Sequence, residues 1–180
     1  MKSFYNLVLS SSKELKSVKN LTVASLLITM KLILDLFTIQ LNQALHVSFE
    51  FLPFASLSML FGPVTGAMCG ALSDIINYIM NPKGAFFPGF TISAMVSGII
   101  YGIAFYKKEV SIKRCIFAEI AIVIIVDLLL NTFWLSLLYG KGFLALLPMR
   151  MFKNSVMIPI NVAMMYFVLE LVNKVKNQYC

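Results

Sequence analysis

The chain has 180 residues, 59% hydrophobic and only 13% charged, with a formal net charge of +7. A mean hydropathy of +0.86 excludes a soluble globular domain, whose surface needs far more charge to face water. The positive balance does not indicate nucleic acid, because the lysines flank apolar runs instead of forming one basic region, as a bilayer orientation signal does.

Residues 1–20, MKSFYNLVLSSSKELKSVKN, have an apolar part too short for a signal peptide, and no small-residue cleavage site follows. They read as a cytosolic amphipathic lead-in, with Phe4, Leu7, Val8 and Leu15 placed to touch the interface. A single helical membrane domain then spans 21–173, before a cytosolic tail at 174–180. A bilayer core takes about 20 apolar residues per helix. Six stretches are candidates: 21–39, 49–61, 64–80, 89–106, 115–138 and 148–173. The second stops at Gly62-Pro63, a helix breaker, and the third follows at once. The fold class is therefore an all-α integral membrane protein with six transmembrane helices.

Lys and Arg set the orientation. Ten fall on the side of the termini and of the 107–114 connection, four (Lys83, Lys141, Arg150, Lys153) fall on the other, and Lys31 lies within the first span. The positive-inside rule puts both termini in the cytoplasm. Loops 40–48, 81–88 and 139–147 then face outward.

Polar groups inside the spans gather in the outer half. Asp74, Asn77 and Asn81 share one face of the third span, with Asp74 about 9 Å below its outer end. Asp127, Asn131 and Trp134 follow at i, i+4 and i+7 in the fifth, and Arg150, Lys153, Asn154 and Asn161 form a stripe in the sixth. Intramembrane ionisable groups are costly and mark function. Each also has a structural reading: Lys31 and Asp35 as an i,i+4 pair, Asp127 as an interhelical bond, Arg150 and Lys153 as snorkelling cations, His46 and Glu50 as surface groups. Their convergence describes a cup opening outward and not a pore.

Several classes lack support. The sequence has no GxxxxGK[ST] phosphate loop, no HExxH and a lone histidine, His46. Cys69, Cys115 and Cys180 show no CxxC spacing. No metal site, catalytic set or inverted transporter repeat is apparent. Gly62, Gly66 and Gly70 recur every four residues, a spacing that allows close helix packing within the chain or against a partner.

The segments FLPFASLSMLFGPVTGAMCGALSD, GAFFPGFTISAMVSGIIYG and NTFWLSLLYGKGFLALLPMRMFK together resemble the folate-family substrate-binding S components of energy-coupling factor (ECF) transporters, over about 20–173. The resemblance implies a six-helix, multi-pass plasma-membrane protein, of a Gram-positive bacterium, that binds a vitamin near the outer face under its outer loops. It implies docking onto a transmembrane coupling subunit and two ATPases, which use the ATP. This chain is then no enzyme and binds no cofactor, only its ligand. Docking would use small residues of the first helix, here Ala24 with Ile28 and Ser25 with Thr29, or the ridge at Gly66 and Gly70.

Folate chemistry assigns candidate roles. Asp74, Asn77 and Asn131 suit the mixed donor–acceptor edge of the pterin. Phe86, Phe87, Phe90 and Trp134 suit stacking on its rings. Arg150, Lys83 and Lys153 suit the glutamate carboxylates, with His46 assisting. The alternatives are another flat or carboxylated vitamin, such as pantothenate or a thiazole, and a structural membrane protein whose polar stripes only join helices.

Overall fold

A computed structural model describes residues 10–11, 17–42, 45–81, 86–140 and 143–179. Helix α1, Val18–Leu36, is apolar apart from Asn20, short hydroxyls and its charged residues. The Thr22, Ser25 and Thr29 hydroxyls donate to carbonyls four residues back, at 2.9 Å each. Such bonds let small polar side chains sit in an apolar medium without an orphaned donor.

The stretch after α1, expected as a loop, holds a small antiparallel hairpin of β1, Ile39–Asn42, and β2, Leu45–Val47. Ile39 faces Val47 and Gln40 faces His46, with a register irregularity between Gln40 and Asn42. Pairing satisfies backbone groups that an open loop would leave to solvent.

Helix α2, Phe51–Met80, is broken at Gly62, whose φ of 86° and ψ of −178° lie outside the helical region, with Pro63 next. Such a backbone is essentially reserved for glycine. The two arms fold back on each other. A Cβ built on Gly70 would stand 3.0 Å from the Phe54 ring, and one on Gly66 2.7 Å from Ser58 Oγ. On a straight helix Phe54 and Gly70 would be about 24 Å apart. The expected break is therefore a sharp corner between two antiparallel arms.

Ser10 and Ser11 close that corner from the lead-in. Fully buried Ser11 donates from Oγ to Phe61 O at 2.7 Å and accepts from Val64 N and Thr65 N at 3.1 and 3.2 Å. It thus acts as an N-cap for the second arm, supplied from more than 50 residues away in sequence. Thr65 Oγ1 donates back to Ser11 O, and Tyr106 Oη to Ser10 Oγ. Phe4, Leu7, Val8 and Leu15 lie outside the described residues.

Helix α3, Pro88–Phe105, starts with proline in its first turn, where a missing N–H costs nothing. It packs on the second arm of α2 at backbone contact: a Cβ on Gly66 would be 2.7 Å from Gly98 O, and one on Gly70 2.6 Å from Ala94 O. The glycine ridge is therefore filled by α3. Gly66 and Gly70 are buried against α3. Ala24 is likewise buried, in a cluster with Leu57, Phe61 and Cys69. On α1, Ser25 remains exposed and Ile28 half-buried.

Helix α4, Ile112–Ala121, runs into wider π-helical turns over Ile122–Asn131 and continues as α5, Thr132–Tyr139, which ends on left-handed Gly140. Helix α6, Phe143–Tyr179, closes the bundle.

The distribution of polarity is that of a protein solvated by lipid. Ser56, Ser58, Thr65 and Ser73 are almost wholly buried, whereas Phe117, Phe152 and Phe167 are mostly exposed. By length and composition, Phe51–Met80, Pro88–Phe105, Ile112–Leu138 and Arg150–Val175 are apolar enough to cross a membrane. Away from the hairpin end, Phe105, Cys115, Ala118, Met165 and Leu169 pack into a dense core.

Candidate ligand-binding site

Helices α2, α3, α4 with its π-helical turns, and α6, with Lys31 of α1, line one polar cavity of about 350 Å³, a volume typical of small-molecule sites. The arms of α2 supply Phe51, Phe54, Asp74 and Asn77, and α3 supplies Phe90, Ser93, Ser97 and Tyr101. The α4–α5 rod supplies Glu119, Val126, Asp127 and Asn131, and α6 supplies Arg150, Lys153, Asn154 and Asn161. Phe90 to Tyr101 spans about 16 Å along a helix. The cavity thus runs from the hairpin end towards the middle of the bundle, and the core around Phe105 and Met165 blocks the far side.

One wall is charged. Arg150 Nη1 donates to the Asp127 carbonyl at 2.9 Å and to Thr132 Oγ1 at 3.4 Å. Thr132 Oγ1 donates to the same carbonyl at 2.9 Å, and Asn131 Nδ2 to Asp127 Oδ1 at 3.3 Å. The wider π turns leave the Asp127 carbonyl open to these side chains, as such turns often do at functional sites. Lys153 adds a second cation in the field of Asp127 and has no ion pair among the described residues.

Nearer the mouth, Lys31 Nζ pairs with Glu50 Oε2 at 3.0 Å and lies over the Phe54 ring. Asp74 Oδ2 accepts from Thr91 at 2.7 Å. At the deep end, Asn161 Nδ2 donates to Glu119 Oε1 at 2.7 Å, and the buried Tyr101 ring closes the wall.

Among the described residues, six buried side-chain atoms lack a hydrogen-bond partner: Ser58 Oγ, Ser93 Oγ, Asn131 Oδ1, Trp134 Nε1, Arg150 Nε and Asn161 Oδ1. An orphaned buried polar group costs about 1–3 kcal/mol. Four of these residues (Ser93, Asn131, Arg150 and Asn161) line the cavity. Their concentration there fits groups that await a polar ligand.

Six of the residues picked from the sequence meet here: Asp74, Asn77, Phe90, Asn131, Arg150 and Lys153. Phe86, Phe87 and Trp134 are not among the cavity walls. The Phe87 ring lies tilted against Trp134 at 5.5 Å and meets Phe90 edge-on at 6.1 Å, and Phe86 lies tilted against Tyr78 at 5.0 Å. Their rings engage one another beside the mouth. Lys83 lies outside the described residues, and His46 is placed by its backbone pairing with Gln40. Not selected from the sequence were Ser93, Ser97, Tyr101 and Glu119. The first three follow at four-residue spacing on α3, and Glu119 lies eight residues before Asp127. A helical-face reading of α3 finds the first three, since small hydroxyls on that face would otherwise meet lipid.

Helices apolar enough to cross a membrane around a polar, dead-ended cavity have the build of a membrane binding component. The family model for the substrate-specific component of ECF transporters matches residues 19–169. The chain is 36% identical over 162 residues to the folate transporter FolT of Clostridium novyi, covering 90% of this chain and 94% of that one. It is 34% identical over 158 residues to FolT of Leuconostoc mesenteroides, covering 84% and 85%. A crystal structure of FolT bound with folic acid matches with a TM-score of 0.80 at 32% identity, covering 88% of this chain and 95% of that one.

The chain belongs to the ECF transporter substrate-specific components, and within them it is FolT-like. It is a transport component and not an enzyme.

Proposed function

We propose that this chain captures folate at the outer face of the plasma membrane and delivers it inward, driven by an ECF coupling subunit and two ATPases. The observation that carries this reading is the cavity, a space of ligand size lined by Asp74, Asn77, Asn131, Arg150 and Lys153. The relatives' names, both folate transporters, fix which ligand is proposed.

The two arms of α2 complete six membrane helices, with both termini cytoplasmic. Domain 21–173 then does the binding, 1–20 is a cytosolic lead-in partly anchored through Ser11, and 174–180 is a tail. Supporting this orientation, Lys107, Lys108, Lys113 and Arg114 lie at the end opposite the cavity mouth. The organisms of both relatives favour a Gram-positive plasma membrane.

Arg150 and Lys153 neutralise the glutamate carboxylates, aided by Lys83. Phe90 packs on the aromatic rings, and Phe86, Phe87 and Trp134 cover the mouth. Asp74, Asn77 and Asn131 supply hydrogen bonds, with His46 at the rim. ATP acts only on the partner subunits. Ser25 with Thr29 forms the exposed face on α1 for the coupling subunit, its hydroxyls already bonded within the helix.

Uptake of labelled folate tests the reading, in proteoliposomes holding this chain with the coupling module. ATP-dependent uptake that vanishes when the chain is omitted is expected. Uptake no greater than without the chain would overturn it, as would selective uptake of pantothenate or a thiazole.

A further inference from the structure

The end of the molecule opposite the cavity mouth carries a positive patch. Between α3 and α4, residues 107–114 hold Lys107, Lys108, Lys113 and Arg114 against a single acid, Glu109. The three lysines are exposed, and none of the four cations forms an ion pair among the described residues. Their contacts are with neutral groups, which hold them in place and leave the charge largely uncancelled. Lys108 Nζ donates to Ile103 O at 2.6 Å, and Arg114 Nη1 to Glu109 O at 2.7 Å. Lys107 Nζ lies 5.1 Å from the centroid of the buried Tyr106 ring. Lys107 also has a φ of 53°, in the left-handed region, where the residue just past a helix end is usually glycine. A lysine there costs backbone energy and adds a cation to the turn.

The same turn heads an apolar track. Ile112, Ile116, Ile120 and Ile124 recur at four-residue spacing along α4 and its π turns, and all four are exposed. Ile112 to Ile124 spans about 18 Å along a helix, close to half of a hydrocarbon core about 30 Å thick. Lys113 and the exposed Phe117 run beside them at the same spacing. We propose that this turn and track bind an anionic phospholipid, its headgroup phosphate on Lys107, Lys113 and Arg114 and an acyl chain along the isoleucines. Cations at a bilayer surface attract anionic headgroups, and the attraction falls away within a Debye length. The depth of the track sets the acyl chain directly beneath the cations. The site lies outside the ligand cavity and requires only that the chain spans a bilayer. On the orientation proposed above, the lipid belongs to the cytoplasmic leaflet, which is rich in anionic headgroups.

Native mass spectrometry of the purified, detergent-solubilised full chain tests this, with dioleoyl phosphatidylglycerol and dioleoyl phosphatidylcholine as probes. The wild type should bind the phosphatidylglycerol about 10-fold more tightly, as several cations facing one net negative headgroup predict. The combined variant Lys107→Gln, Lys113→Gln, Arg114→Gln should lose that preference and keep the wild-type response to folate. Lys174→Gln, which removes a cation already paired with Glu170, should retain it. Glycerol 3-phosphate in large excess, which offers the phosphate without acyl chains, should fail to displace the lipid. Displacement would mark a free-phosphate site and overturn the lipid assignment. Equal wild-type affinity for the two lipids would overturn the proposal and leave the patch to a protein partner. An undiminished preference in the combined variant would overturn it too. The wild-type comparison needs no variant to fold, and its outcome does not depend on whether the chain binds folate.

Discussion

Ser11→Ala removes one oxygen and strands three backbone groups. In the wild type, Ser11 Oγ bonds to Phe61 O, Val64 N and Thr65 N at 2.7 to 3.2 Å, with the side chain fully buried. The variant keeps only the bond from Thr65 Oγ1 to the Ser11 carbonyl. Loss of a serine N-cap costs about 0.5–2 kcal/mol in ordinary helices. Here the cap also holds the Phe61 carbonyl on the other side of the corner, and no side chain at position 11 would replace it. A loss of about 2 kcal/mol follows, which for a chain of this size lowers Tm by about 4–8 °C. Thermal unfolding in detergent, followed by loss of the monodisperse peak, measures it. A shift under about 1 °C would refute the claim that the lead-in caps the α2 corner.

Other outcomes are as specific. Gly62→Ala places a Cβ 2.7 Å from Ser11 Oγ on a backbone with φ of 86°, so it should destabilise by at least about 2 kcal/mol in the same melt. Arg150→Ala should weaken folate by about 10- to 100-fold in a titration, through loss of a charge-assisted bond to carboxylate. Unchanged affinity there would remove Arg150 from the carboxylate role. Trp134 is the one tryptophan and packs against Phe87 beside the mouth, so folate should quench its emission. Trp134→Phe should abolish the signal, and unchanged wild-type emission at saturating folate would contradict that placement.

Much of this was legible because the bilayer imposes simple rules. Apolar runs set the helices, and Gly62-Pro63 marked the corner in α2. Intramembrane charge pointed to Asp74, Arg150 and Lys153, since burying it needs a reason. What escaped depends on contacts between distant residues. Glu119 meets Asn161 across 42 positions, and Ser11 meets Thr65 across 54. Spacing also could not say which neighbour fills a glycine face: Gly66 and Gly70 fit a partner's helix or their own α3 equally well, and α3 occupies them. The aromatic residues Phe87 and Trp134 were recognisable as a group, but their contact is a property of how α5 meets the start of α3 in the fold.

The central claim is that the cavity between α2, α3, the α4–α5 rod and α6 is a folate site. Equilibrium binding of folate to the purified wild-type chain, without its partner subunits, tests it most directly. A Kd well below the micromolar range is expected, with pantothenate and thiazole binding far more weakly. A Kd for folate above the micromolar range, with tight binding of another vitamin, would contradict the account.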